Sequence, residues 1–218
     1  MIEQFSIIMD KLHENYEVKD IITNNSCFFF ILESPHIKEL KYGVPVAGSS
    51  GISMSKHLLG NDYHQPLGRL VKDHIEQKKQ NDWISNIGLL NVCTIPMQKK
   101  AYQDESLIEE YHLFFELLEG VRKNNQTDVY RNEQMNEMQE VILQRFRERL
   151  NHLKNKSCVM VPCGKFAQKF FRLAAVDSKK WTVINHVPHP SYQAWSRKRY
   201  ETVITHVIQT FQNGCENQ

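Results

Sequence analysis

The sequence predicts an α/β fold, a three-layer α/β/α sandwich around a central, mainly parallel four-stranded sheet. Short apolar runs at 27–32, 84–92, 158–161 and 181–187 read as buried strands. Segments with apolar residues at helical spacing separate them, and such alternation implies a parallel sheet covered by helices. Polar residues stand at or just past the ends of three of these runs, at Glu33, Asn91 and His189. In an open parallel sheet, chemistry collects just outside the carboxyl ends of the strands.

Taken in order, the first strand, Phe28-Phe29-Phe30-Ile31-Leu32, stops at Glu33 and Pro35. A glycine- and serine-rich loop from Gly43 follows, and its Gly48-Ser49-Ser50-Gly51 opens a helix through Met54 and Leu58. The helix expected at 65–79 has Pro66 early, as a first-turn residue, and spaces Leu67, Leu70, Val71 and Ile75 at helical intervals. The second strand ends Gly88-Leu89-Leu90-Asn91. Asp104-Glu105-Ser106 is good first-turn chemistry for a helix at 104–119 bearing Leu107, Ile108, Tyr111, Phe114, Phe115 and Leu118. A polar stretch, 123–136, reads as a solvent loop before a helix at 133–153 that repeats the period with Met138, Val141, Ile142, Phe146 and Leu150. Helices at 165–175, after Pro162-Cys163-Gly164, and at 199–211 complete the chain, with the tail after Asn213 expected to fray.

At 218 residues and 41% hydrophobic, the chain can bury one sizeable core, so 1–218 reads as a single domain with a helical segment and polar loop at 104–153. A net charge of +2 neither requires nor excludes nucleic acid. Local basic clusters, Arg197-Lys198-Arg199 and Lys99-Lys100, are enough for phosphate contact, a solvated helix face being the alternative. Glu3, Asp10, Lys11 and Glu14 are unlike a signal peptide. No apolar run approaches the ~20 residues that span a bilayer. The 5 cysteines are scattered without a CxxC pair, which argues against a disulfide framework or zinc site and for the cytoplasm. No membrane partner is expected, and the protein is expected to be monomeric.

Glu33, at a strand end, could position a water or oppose a developing cation; it could equally cap backbone N–H groups before Pro35. His36 adjoins that turn. Ser49 and Ser50 bring hydroxyls and free N–H groups to a helix N-terminus, which favours an anion, although no Walker lysine follows. A buried Asn91 must find partners for both carbonyl and amide; it could read a base edge or fix the turn toward Pro96. His189, fixed beside Pro190, can donate to a developing anion, and an exposed Tyr192 and Trp195 could stack on bases or wedge between them. Cys163 with His189 as its base is an alternative without an accompanying oxyanion motif. His186-x-x-His189 lacks an evident third metal ligand.

These strand ends, in this order, resemble the uracil-DNA glycosylase superfamily, most closely its iron–sulfur branch. That branch's first motif runs approximately Gly-Glu-Ala-Pro-Gly, then Gly-x-Pro-Phe-Val-Gly-x-x-Gly. Here it reads Leu32-Glu33-Ser34-Pro35-His36, then Gly43-Val44-Pro45-Val46-Ala47-Gly48-Ser49-Ser50-Gly51. Gly88-Leu89-Leu90-Asn91 is similar to the superfamily's base-reading strand, and His189-Pro190-Ser191 to its His-Pro-Ser motif. The resemblance covers about 27–196. It implies a DNA glycosylase, on duplex or single-stranded DNA, that flips a base to the sheet's carboxyl edge and cleaves its N-glycosidic bond. Glu33 would hold the attacking water or offset the sugar cation, and His189 would stabilise the anionic base. Asn91 would read the base, with Ser34, His36 and Val46 around it. Ser49, Ser50 and Ser191 would hold phosphates, with Arg197 and Lys198 also on the DNA. Tyr192 to Trp195 would probe the gap in the duplex.

Two departures stand out. Val46 occupies the place of the family's aromatic platform, so stacking must come from elsewhere, with His36 and Tyr42 as candidates, and a bulkier base could fit. The N-terminal pair of cluster cysteines is missing, so neither an iron–sulfur cluster nor any other cofactor is expected. A non-catalytic nucleic-acid- or nucleotide-binding protein of the same fold is the alternative.

Overall fold

The computed structural model describes residues 1–77 and 83–216. In chain order the elements are α1 (Ile2–Tyr16), β1 (Phe28–Leu32), α2 (Ile37–Tyr42), α3 (Ser49–Leu59), α4 (Leu67–Glu76), β2 (Ile87–Asn91), α5 (Glu105–Glu110), α6 (His112–Lys123), α7 (Glu133–Leu153), β3 (Cys158–Pro162), α8 (Gly164–Ala174), β4 (Trp181–Val183) and α9 (Glu201–Glu216). The strands form one 4-stranded sheet in the order β2-β1-β3-β4, and every pairing is parallel.

Successive strand residues face opposite sides, so each strand feeds two cores. Phe29, Ile31, Leu90 and Met160 pack against Phe5 and Met9 of α1, Phe114 and Phe115 of α6, Phe146 of α7 and Phe170 of α8. Phe28, Phe30, Leu32, Leu89 and Val161 pack on the other face with Met54 of α3, Val71 of α4 and Phe211 of α9. All five residues of β1 are buried, which is why it reads as an unbroken apolar run rather than an alternating one. The layers are those of the α/β/α sandwich expected.

Several boundaries differ for identifiable reasons. The last strand was expected to reach 187; after Val183 only Ile184 still bonds β3, donating to the Met160 carbonyl, and the left-handed His186 (φ +63°) turns the chain away. The helix expected at 104–119 is two helices, broken at Tyr111, with Asp104 capping the first through the Leu107 N–H. Pro66 stands just before α4 rather than inside it, and the end of the helix expected at 65–79 lies outside the described residues. The segment 83–86 is a 3-10 turn leading into β2. The helix at α1, marked by buried Phe5, Met9 and Leu12, and the short α2 were not expected. The loop before α7 is not wholly solvated, because Tyr130 is buried and accepts from the buried Lys169 Nζ at 2.7 Å. Past Asn213, α9 continues to Glu216, and the rest of the tail lies outside the described residues. Among the described residues no helix is long and apolar enough to cross a membrane.

Candidate active site at the carboxyl edge of the sheet

Parallel register brings the ends of β1 and β2 together: Leu32 sits beside Asn91, and the Glu33 carbonyl accepts from the Cys93 N–H at 3.1 Å. The Glu33 side chain leaves the strand toward α6, where Arg122 Nε donates to its Oε1 at 2.5 Å. Burial pushes the Glu33 carboxyl above the usual carboxylate range, and the Arg122 cation opposes that shift. Ser34 Oγ, next in the chain, is buried without a hydrogen-bond partner among the described residues.

His36 caps α2, and its N–H donates to Glu39 Oε2 at 2.8 Å. The other oxygen of Glu39 accepts the Val46 N–H at 2.9 Å. Burial raises the Glu39 carboxyl to about 7 despite these two donors, and the nearby Glu33 charge adds to the rise. The His36 imidazole is held below its usual value, first by burial and then by Lys100 and Arg122, while a Gln98 hydrogen bond opposes this.

Val46 is buried and sits at φ +46°, a region a β-branched residue rarely enters. Such a conformation costs about 1–3 kcal/mol and persists only where the surroundings over-determine it. Glu39 holds its N–H, and α3 presses on its carbonyl. A Cβ at Gly51 would lie 1.8 Å from the Val46 carbonyl oxygen, so only glycine admits this approach. Just upstream, Ser49 and Ser50 form the first turn of α3, Ser49 exposed and Ser50 half-buried. Tyr42 is not a free platform, because the Arg69 guanidinium lies 4.5 Å from its ring centroid.

Asn91 is fully buried, yet neither Oδ1 nor Nδ2 has a hydrogen-bond partner among the described residues. Its backbone is well held. The N–H donates to Asp20 Oδ1 at 3.2 Å, and the carbonyl accepts from Arg149 Nη1 at 2.8 Å.

His189 lies against the turn between β3 and α8. There a Cβ on Gly164 (φ +88°) would come within 2.8 Å of His189 Cβ. The Ser191 N–H donates to His189 Nδ1 at 3.2 Å, and Ser191 Oγ lies 2.9 Å from the same nitrogen. A backbone N–H can only donate, so Nδ1 is an acceptor and the neutral ring carries its proton on Nε2. Burial, and then the Arg122 cation, pull the imidazole down to about 4.

Beyond Ser191, Tyr192 and Gln193 are both left-handed at φ +53°, and Tyr192 is 88% exposed. Arg197 Nη2 donates to the Tyr192 carbonyl at 3.0 Å, and Arg197 and Lys198 are exposed. The expectation of an exposed Trp195 is corrected: its indole is buried against Phe30 and His57, and Nε1 donates to the Pro188 carbonyl at 2.9 Å. Its large apolar ring, with a partner for its polar tip, roots the loop in the core. Cys163 is also buried, its thiol pushed far above the usual value by burial, which removes the thiolate that Cys/His catalysis needs. Cys93 packs on one face of the sheet and Cys163 on the other. Among the described residues no three His, Cys, Asp or Glu side chains could hold a metal ion, so these residues do not fit an iron–sulfur cluster.

One cation, Arg122, therefore bonds Glu33 of the first motif and acts through its charge on His36 and on His189 of the third. Arg122, Glu39, Asp20 and Arg149 escape a reading of the sequence. Three of them act through tertiary contacts with no local signature; only the Glu39–His36 pair, three residues apart, has the spacing of a capping box. A family model described as the uracil DNA glycosylase superfamily matches residues 20–212. No curated protein matches the chain significantly.

Proposed function

The chain belongs to the uracil-DNA glycosylase superfamily, and on that premise we propose that it is a monofunctional DNA glycosylase that excises uracil or a bulkier modified base without a cofactor. The observation that carries this reading is the Asn91 carboxamide, buried at the sheet's carboxyl edge with donor and acceptor both unpartnered among the described residues. Leaving such groups unpaired costs about 1–3 kcal/mol each. A flipped base whose edge offers an acceptor beside a donor would satisfy both.

In the reaction, water adds to the sugar C1′ as the C1′–N bond breaks, the electron pair departs with the base, and the proton the water sheds ends on the base. Positive charge builds on the sugar and negative charge on the base. Glu33 would hold the attacking water or offset the sugar cation, and Arg122 favours the ionised form that either role needs. The neutral His189 presents Nε2–H as a donor to the anionic base, the role of an oxyanion donor. Ser34, His36 and the narrow Val46 side chain would complete the base pocket, Val46 leaving room for a bulkier base. Ser49, Ser50, Ser191, Arg197 and Lys198 would bear on the DNA backbone. Tyr192 would enter the gap left by the flipped base; the buried Trp195 takes no direct part in this version. The scattered cysteines, without a CxxC pair, suit a cytoplasmic location.

The test is incubation with duplex and single-stranded DNA carrying uracil, deaminated purines or bulky modified pyrimidines, followed by detection of abasic sites. Base release from at least one substrate is expected, and none from any substrate in folded protein would overturn the reading. A non-catalytic DNA-binding role is the second reading, favoured by Val46 in place of an aromatic platform. It predicts salt-dependent binding without base release, unchanged by Glu33→Gln.

A further inference from the structure

Among the described residues β2 is the last strand on its side of the sheet, so its outer N–H and C=O groups have no further strand there to pair with. At Leu89 the gap is filled by Ile21, each N–H donating to the other's carbonyl at 2.9 Å. Two residues on, the same edge comes round again at Asn91. Here two side chains stand in for a strand. Asp20 Oδ1 accepts the Asn91 N–H, and Arg149 Nη1 donates to the Asn91 carbonyl. Arg149 Nη2 reaches the Val92 carbonyl at 2.6 Å, and Nη1 also lies 2.6 Å from Asp20 Oδ2.

An ion pair is an expensive way to close a sheet edge. The Asp20 side chain is 7% exposed and that of Arg149 23%, and the desolvation of such a pair offsets much of its attraction. What the pair supplies is direction. Two of its backbone contacts fall on Asn91 and one on the next residue, Val92, and the Asn91 carboxamide is buried without a partner among the described residues.

Resting on the glycosylase reading above, we infer that Asp20 and Arg149 are positioning residues for base selection, fixing the Asn91 backbone so that its carboxamide keeps one orientation toward the flipped base. A polar site discriminates because the wrong partner leaves its buried groups unpaired. A carboxamide on a loosened backbone can turn to suit the wrong base, so discrimination falls before bond cleavage does.

The experiment compares full-length wild type with R149K, D20N, N91A and the double substitutions R149K/N91A and D20N/N91A. It measures single-turnover excision across the base panel, with thermal melting in parallel. The readout is the ratio of rates on the best and next-best bases. R149K and D20N are each expected to reduce that ratio about tenfold while slowing excision of the best base less, and to change it no further once Asn91 is already alanine. A ratio unmoved by either substitution, or lowered equally with and without Asn91, makes the pair purely structural and overturns the inference while the glycosylase reading stands. Wild type silent on every base overturns both. Should R149K not fold, D20N and D20N/N91A decide by the same ratio.

Discussion

Arg122 Nε donates to Glu33 Oε1 across 89 positions of sequence, tying the last turn of α6 to the end of β1. The same guanidinium is a cause of the lowered imidazole values of His36 and His189. One cation therefore acts in two directions, favouring the charged form of a carboxylate and the neutral form of two histidines.

Removing it should separate these effects. With Arg122→Met, burial acts on Glu33 unopposed and its carboxyl rises further. Base release that needs ionised Glu33 is present above that value and lost below it. The acidic limb of the single-turnover pH–rate profile should move to higher pH, with the rate loss greatest on the acidic side. An unmoved limb would separate Arg122 from the chemistry.

His189 makes its own prediction for stability. Its folded-state value, about 4, lies below the unfolded value near 6.5. Between these two the unfolded chain binds more protons, so stability is full above about 6.5 and lost as pH falls toward 4. The loss amounts to about 3 kcal/mol by linkage. Denaturant melts of wild type and His189→Asn at both pH values should show it, the variant losing less on acidification.

The loop after His189 separates two aromatic roles. Trp195→Ala should cost about 3–5 kcal/mol by emptying a packed site, and urea denaturation measures this directly. Tyr192→Ala should leave stability unchanged and slow excision from duplex more than from single-stranded DNA, since a wedge matters only where a stack must be opened. Equal slowing on both substrates would remove Tyr192 from that role.

Much of this frame is legible along the chain. β1 reads as a strand because burial on both faces makes it continuously apolar, and α7 because its apolar period runs unbroken from Asn132, which caps it through the Met135 N–H. Glu33, Asn91 and His189 are visible because each stands at or just past the end of an apolar run. Arg122, Asp20 and Arg149 are not, because helix docking rather than local spacing makes their contacts. Arg149 and Asp20 meet across 129 positions. Trp195 misleads for a related reason: beside Arg197-Lys198-Arg199 it reads as surface, while packing beneath α3 buries it.

The exposed cations should act on affinity alone. Arg197→Ala or Lys198→Ala is expected to weaken DNA binding and reduce the slope of log affinity against log salt by about one phosphate's worth. The single-turnover rate on saturated enzyme should not change. A lost rate with an unchanged slope would place these side chains in the chemistry instead.

The most direct test of the central claim is the single-turnover rate of base release by Glu33→Gln on the best substrate of the panel, with DNA affinity and melting temperature measured alongside. If Glu33 acts on the transition state, the rate should fall by about 10² or more, near 3 kcal/mol, with affinity for DNA little changed. A wild-type rate in a variant that melts earlier would contradict it, leaving Glu33 as a carboxylate that only steadies the turn after β1.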